Sequence, residues 1–115
     1  MSQAPEFVDA CRLDELPVGE VTEVRGVGGR RLILIRTAFT VLAFDGYCTH
    51  RRAPMGRAHV EDDKLVCPWH DGSFDLKTGE AVDPPVDTAI ESFETRVVDG
   101  QVQVRLGSAA AERAS

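Results

Sequence analysis

Residues 66–75 read VCPWHDGSFD, a cysteine and a histidine three apart with a proline and a tryptophan between them. Thiolate and imidazole are strong ligands for soft and borderline metals, but one such pair is ambiguous until it has a partner. The partner lies upstream. In YCTHRRAPMG, residues 47–56, Cys48 and His50 stand two apart, and sixteen residues separate His50 from Cys67. The pattern is C-x-H, sixteen residues, C-x-x-H, and each half directly follows a strand-like segment. The short spacers let the Cys and His of one half reach adjacent atoms of one site. The long spacer lets a β-hairpin bring the halves together.

Two metals suit this donor set. Zinc would use Cys48, His50, Cys67 and His70 in one tetrahedral structural site. A [2Fe-2S] cluster would take two cysteines on one iron and two histidines on the other. The spacing favours the cluster, because zinc-finger halves pair like with like, whereas each half here supplies one ligand of each kind.

The 115 residues fit one compact domain, enough to bury about two-thirds of the unfolded chain's surface. Apolar residues make up 43% and charged residues 28%, the balance of a soluble globular chain. With 13 basic against 19 acidic residues the net charge is -6, which argues against nucleic acid as a partner. The longest apolar run, LILI at 32–35, is too short to cross a bilayer. The start, MSQAPEFVDA, lacks the basic-then-apolar pattern of a signal peptide, so the expected location is the cytoplasm, with no membrane contact. Three cysteines, an odd number, suggest metal binding or catalysis there rather than a disulfide scaffold.

The expected fold class is all-β. The best helix candidate is RLDEL at 12–16, broken by PVG. VTEVRG runs through the loop GVGG into the buried-looking RLILIR, and FTVLAF follows and ends at Asp45-Gly46. GVGG lacks the lysine and spacing of a phosphate loop and reads as a hairpin connection. EDDK turns into LVC, and SFETRVV meets QVQVRL across Asp99-Gly100, a pair that tolerates the positive φ of a tight hairpin. In QVQVRL, Val102, Val104 and Leu106 share one face, and Gln101, Gln103 and Arg105 the other. Residues 45–60 and 76–87 show no strand pattern and read as loops on the scaffold, where sites tend to lie. The domain is expected to span 1–107, with 108–115 a frayed tail.

CTH…CPWH resembles a Rieske-type iron–sulfur protein. FDLKTGEAVDPP resembles the family's continuation into a proline-bearing loop, and the likeness spans roughly 30 to 106. The resemblance implies antiparallel sheets with two cluster-binding loops at one tip, and one [2Fe-2S] cluster per chain. Cys48 and Cys67 would hold the inner iron, His50 and His70 the outer, and Pro84 and Pro85 would form the covering loop. Two histidines in place of two cysteines raise the potential above that of four-cysteine clusters. The outward histidine nitrogens can carry protons, which couples reduction to protonation at high pH.

High-potential relatives carry an extra cysteine in each half, joined by a disulfide. Those places here are Ala53 and Trp69. Where such relatives place a serine and a tyrosine that donate to sulfur, this chain has Gly72 and Phe74. Both departures imply a potential at the low end of the Rieske range, on the order of −150 mV. No mononuclear-iron domain fits in this length. The resemblance therefore implies a non-enzymatic, monomeric ferredoxin that meets a flavoprotein ferredoxin reductase and a terminal oxygenase transiently, in an aromatic-ring dioxygenase system. Two other readings stay open: the small Rieske-like subunit of an assimilatory nitrite reductase, and a structural zinc-binding module.

Single residues carry smaller expectations. Cys11 reads as a packed, inert thiol and His59 as a solvated polar residue, the one spare ligand. Trp69 is expected beside the cluster, keeping water away. Arg51, Arg52 and Arg57 flank the first half, either as a solvated loop or as a docking patch for an acidic partner.

Overall fold

The computed structural model describes residues 7–49, 54–68, 72–84 and 88–106. Ten strands follow in order: β1 (Phe7–Arg12), β2 (Val21–Val27), β3 (Arg30–Arg36), β4 (Val41–Asp45), β5 (His59–Glu61), β6 (Lys64–Val66), β7 (Ser73–Asp75), β8 (Ala81–Asp83), β9 (Ser92–Val98) and β10 (Gln101–Arg105). They build a six-stranded sheet, β1-β10-β9-β4-β3-β2, and a four-stranded one, β5-β6-β7-β8. All the pairings between named strands are antiparallel. The fold class expected from the sequence is the one observed.

The run LILI is buried along its whole length because β3 is covered on both faces. Leu32 and Leu34 join Val41, Ala43, Phe93, Val102 and Val104 in one core. Ile33 and Ile35 point the opposite way, into a second core with Phe44, Met55, Leu65 and Phe74. The first core draws side chains from all six strands, and the edge strands β1 and β2 contact one another, so the large sheet curls around it. The second core is the seam between the two sheets. Residues 12–16 form only a 3₁₀ turn, Leu13–Glu15, whose Glu15 side chain accepts from the Arg12 N–H at 2.9 Å. Leu16 then enters the first core.

Turn chemistry sets the registers. Asp99 (φ 52°) and Gly100 (φ 77°) make the expected two-residue hairpin, with Val98 opposite Gln101. Val102 and Val104 are fully buried, as their alternation requires, and Leu106 is half-buried. Asp62 and Asp63 also take positive φ and join β5 to β6. Three expectations need correction. β4 begins at Val41 and not at Phe39, because the Thr37 hydroxyl accepts from the Phe39 and Thr40 amides and folds 37–40 into a turn, leaving Phe39 97% exposed. Residues 59–60 and 81–83, read as loop, belong to strands β5 and β8. Each has only three residues, too few to show an alternation.

Gly79 is a fixed point of the fold. Its φ is +80°, its carbonyl accepts from the Ile90 amide at 2.8 Å, and a Cβ there would meet the Ile90 carbonyl oxygen at 2.7 Å. Gly79→Ala is expected to cost about 1–3 kcal/mol, read as a lower urea midpoint at unchanged m-value. Gly29, at φ +82° with nothing near its missing Cβ, isolates the backbone contribution. Equal losses for Gly79→Ala and Gly29→Ala would mean that the close approach to Ile90 costs nothing.

Candidate metal centre

Cys48 lies three residues beyond the end of β4. The chain turns at Gly46, whose amide donates to the Arg31 carbonyl at 3.0 Å and whose carbonyl accepts from the Met55 amide at 2.8 Å. Only glycine fits there, since a Cβ would lie 2.8 Å from the Arg31 carbonyl oxygen. Tyr47 bridges to Pro54 and closes the base of the first ligand loop. Met55 and Ala58 fold back into the seam.

Cys67 is the first residue after β6. Its amide donates to the Gly72 carbonyl at 2.7 Å, so the second loop is closed at its base as the first is. Val66 pairs with Ser73 and Leu65 with Phe74, which carries Leu65 and Phe74 into the seam beside the cysteine. Cys48 (2% exposed) and Cys67 (0%) thus belong to the same apolar cluster, brought there from opposite sheets. No disulfide joins them. Two buried thiols together, each at the root of a loop whose next residues include a histidine, are a soft sulfur-and-nitrogen donor set, and the residues present fit a [2Fe-2S] cluster.

His50 and His70 lie outside the described residues, as do Arg51, Arg52, Ala53, Trp69, Pro85 and the tail 108–115. His59 is exposed on β5 with its Nε2 3.1 Å from Glu61, apart from the cysteine cluster. It behaves as the solvated residue expected. Cys11 packs half-buried against the first core, and burial, with the nearby Glu15 carboxylate, pushes its thiol up from the ordinary value. A raised value disfavours the reactive thiolate, in keeping with the packed thiol expected from the sequence.

Sequence reasoning missed the polar contacts that brace the loops. The Thr49 hydroxyl, between Cys48 and His50 in sequence, donates to the Thr88 carbonyl at 2.8 Å. Buried Ser73 donates to Asp83 Oδ2 at 2.5 Å, and Lys64 reaches the same oxygen at 3.1 Å, so one carboxylate ties β6, β7 and β8 together. The Asp75 carboxylate accepts from the Lys77 and Thr78 amides at the turn that follows β7. No local pattern marks the Ser73–Asp83 pair, because its members meet only through sheet register.

The Ser73 hydroxyl, then Lys64, hold the Asp83 carboxyl below the usual carboxylate range. A carboxyl depressed in the folded state stabilises it above the unfolded value, near 4, and that support is lost as pH falls through the folded value. Asp83→Asn should therefore lower the urea midpoint at neutral pH, with the gap from the parent closing in acid. A gap independent of pH would assign Asp83 no charge-dependent role.

Comparison with known proteins agrees with this geometry. The family model for the Rieske [2Fe-2S] domain matches residues 6–94. The chain is 31% identical over 100 residues to the ferredoxin component of the naphthalene 1,2-dioxygenase/salicylate 5-hydroxylase systems of Ralstonia sp., covering 87% of this chain and 95% of that one. It is 34% identical over 101 residues to the ferredoxin component of the naphthalene 1,2-dioxygenase system of Pseudomonas aeruginosa, covering 88% and 96%. A solved complex of reduced oxygenase and oxidized ferredoxin in carbazole 1,9a-dioxygenase contains a similar chain, with TM-score 0.78, 26% identity, and coverage of 89% and 94%. A nitrite reductase small subunit from Mycobacterium tuberculosis gives TM-score 0.74 at 25% identity, covering 89% and 96%. The buried cysteine pair, the curled sheet beneath it and these matches place the chain in the Rieske [2Fe-2S] domain family.

Proposed function

We propose that this chain is the ferredoxin component of an aromatic-ring dioxygenase system, carrying single electrons from a flavin-dependent reductase to a terminal oxygenase. The observation that carries the reading is the joint burial of Cys48 and Cys67 at the roots of two loops that also bear His50 and His70. The relatives named as ferredoxin components are matched over nearly their whole length and are electron carriers, not catalytic subunits. Such a chain converts no substrate of its own.

Cys48 and Cys67 would hold the inner iron of one [2Fe-2S] cluster per chain, and His50 and His70 the outer. When bound, the cluster accepts and returns one electron at a time. The chain's own residues set the conditions. Met55, Leu65 and Phe74, all fully buried, keep water from the cysteine side. Phe74 has no hydroxyl and Gly72 no side chain, so neither side chain donates a hydrogen bond to sulfur. Without such donors the reduced, more negative state gains less stabilisation, and the potential falls. The carrier acts as a monomer, within residues 1–107, because it presents one site to two partners in turn. No helix among the described residues is long and apolar enough to cross a membrane.

The likeness to a nitrite reductase small subunit supports a second reading, in which the chain is held permanently by a large catalytic partner. Recovery from its native cells as a stable complex with a flavin and sirohaem protein would favour that reading. Recovery as a free small protein favours the shuttle.

The deciding measurement is visible absorption, EPR and redox titration of protein expressed with ample iron. A red-brown protein, EPR-active only when reduced, with a midpoint on the order of −150 mV is expected. Cys48→Ser and Cys67→Ser should each abolish the signal. A strongly positive midpoint would overturn the argument from Gly72 and Phe74. A colourless protein holding zinc would replace the redox reading with the structural one.

A further inference from the structure

A groove of about 490 Å³ runs beside the candidate centre, and three of its lining residues are arginines in a chain of net charge -6. One wall is Glu23, Arg25 and Arg31, from β2 and β3. The other is Pro54, Arg57 and Pro68. Pro54 bridges to Tyr47, the neighbour of Cys48, and Pro68 follows Cys67, so the groove lies against the roots of both ligand loops.

The wall is organised around its single carboxylate. Glu23 lies 3.1 Å from Arg31 Nε and 3.6 Å from Arg25 Nη2. The Arg31 guanidinium also stacks 5.1 Å from the centre of the Tyr47 ring, which fixes its plane. Gly56 lets the first loop approach this prop, since a Cβ there would stand 3.2 Å from the Glu23 carboxylate oxygen. Glu23 is thus engaged below, while Arg25 keeps a 71% exposed side chain and Arg57 is exposed with no ion pair among the described residues. Three guanidiniums against one already-paired carboxylate leave the groove positive. Guanidinium forks pair best with planar carboxylates.

We propose that this groove, through Arg25 and Arg57, is the docking surface for a carboxylate-rich face of a redox-partner protein. It steers that face onto the edge of the centre against the overall negative charge of the chain. The identity of the partner rests on the ferredoxin reading; the anion-attracting character of the groove does not.

The test uses the dithionite-reduced holoprotein and ferricyanide, a trianionic oxidant, by stopped flow across ionic strength. The net charge alone predicts repulsion, and so a rate that rises with salt. The groove predicts the reverse, a rate that falls with salt. Arg25→Gln/Arg57→Gln should slow the reaction about tenfold at low salt and abolish the fall. Arg12→Gln/Arg96→Gln, which removes the same charge outside the groove, should leave the fall in place. A parent rate that rises with salt, or equal effects of the two double variants, overturns the proposal. Should the purified protein hold no iron, the ferredoxin reading fails separately. Hexacyanochromate(III) broadening of amide NMR signals then tests the groove directly. Broadening at 23–25, 31 and 55–57, lost in Arg25→Gln/Arg57→Gln, upholds it, and broadening elsewhere or none refutes it.

Discussion

Burial of β3 on both faces is the constraint on which the rest of the structure depends. A strand with one wet face could close the curled sheet, but it could not also floor a second layer. Because Leu32 and Leu34 fill one core, Ile33 and Ile35 are left to build the other, and the short sheet settles on them. Each fully buried aliphatic side chain contributes about 1.5–3 kcal/mol. Strands of three residues, such as β5 to β8, have few ladder bonds of their own, so the seam is what holds them. The cysteines sit in that seam. Their dryness is therefore a property of sheet packing before it is a property of the loops.

Five of the six strands of the large sheet were legible in the sequence because they are five to seven residues long and bounded by residues with distinct turn chemistry. Strand β1, Phe7–Arg12, was not, since FVDACR neither alternates cleanly nor is bounded by turn residues. QVQVR alternates, LILI does not, and each pattern states its burial correctly. The small sheet was mostly illegible for the opposite reason. HVE and AVD are too short for any period to emerge, and their strand character comes from partners brought alongside by the Asp62-Asp63 turn and the Gly79 clip. At Phe39 the propensity of an aromatic residue for strand was overridden by a local contact, the Thr37 hydroxyl on two amides.

The candidate centre shows a similar division. Cys48 and Cys67 stood out because C-x-H and C-x-x-H are rare spacings with a chemical reason, and the seam places both together. The braces around them left no trace in the sequence. Thr49 reaches Thr88 and Ser73 reaches Asp83 across 39 and 10 residues, and nothing local selects either pair. Ligands are written in spacing, because neighbouring donors must converge on one point. Supports are written in register, which exists only once the sheets have formed.

The polar supports and the basic groove occupy the rim of the same apolar seam, and their placement follows from its dryness. A charge inside the seam would lose its hydration with nothing to replace it. At the rim each ionic group keeps water on one side and a partner on the other: Lys64 with Asp83, Arg31 with Glu23. Low-dielectric packing behind these groups also weakens the screening of the charges that lack a partner. Arg57 lies beside the closed base of the first loop and faces solvent, with no ion pair among the described residues. An acidic chain can therefore present a locally positive edge beside its centre, because the field at a docking edge is set by the nearest few groups and by what lies behind them.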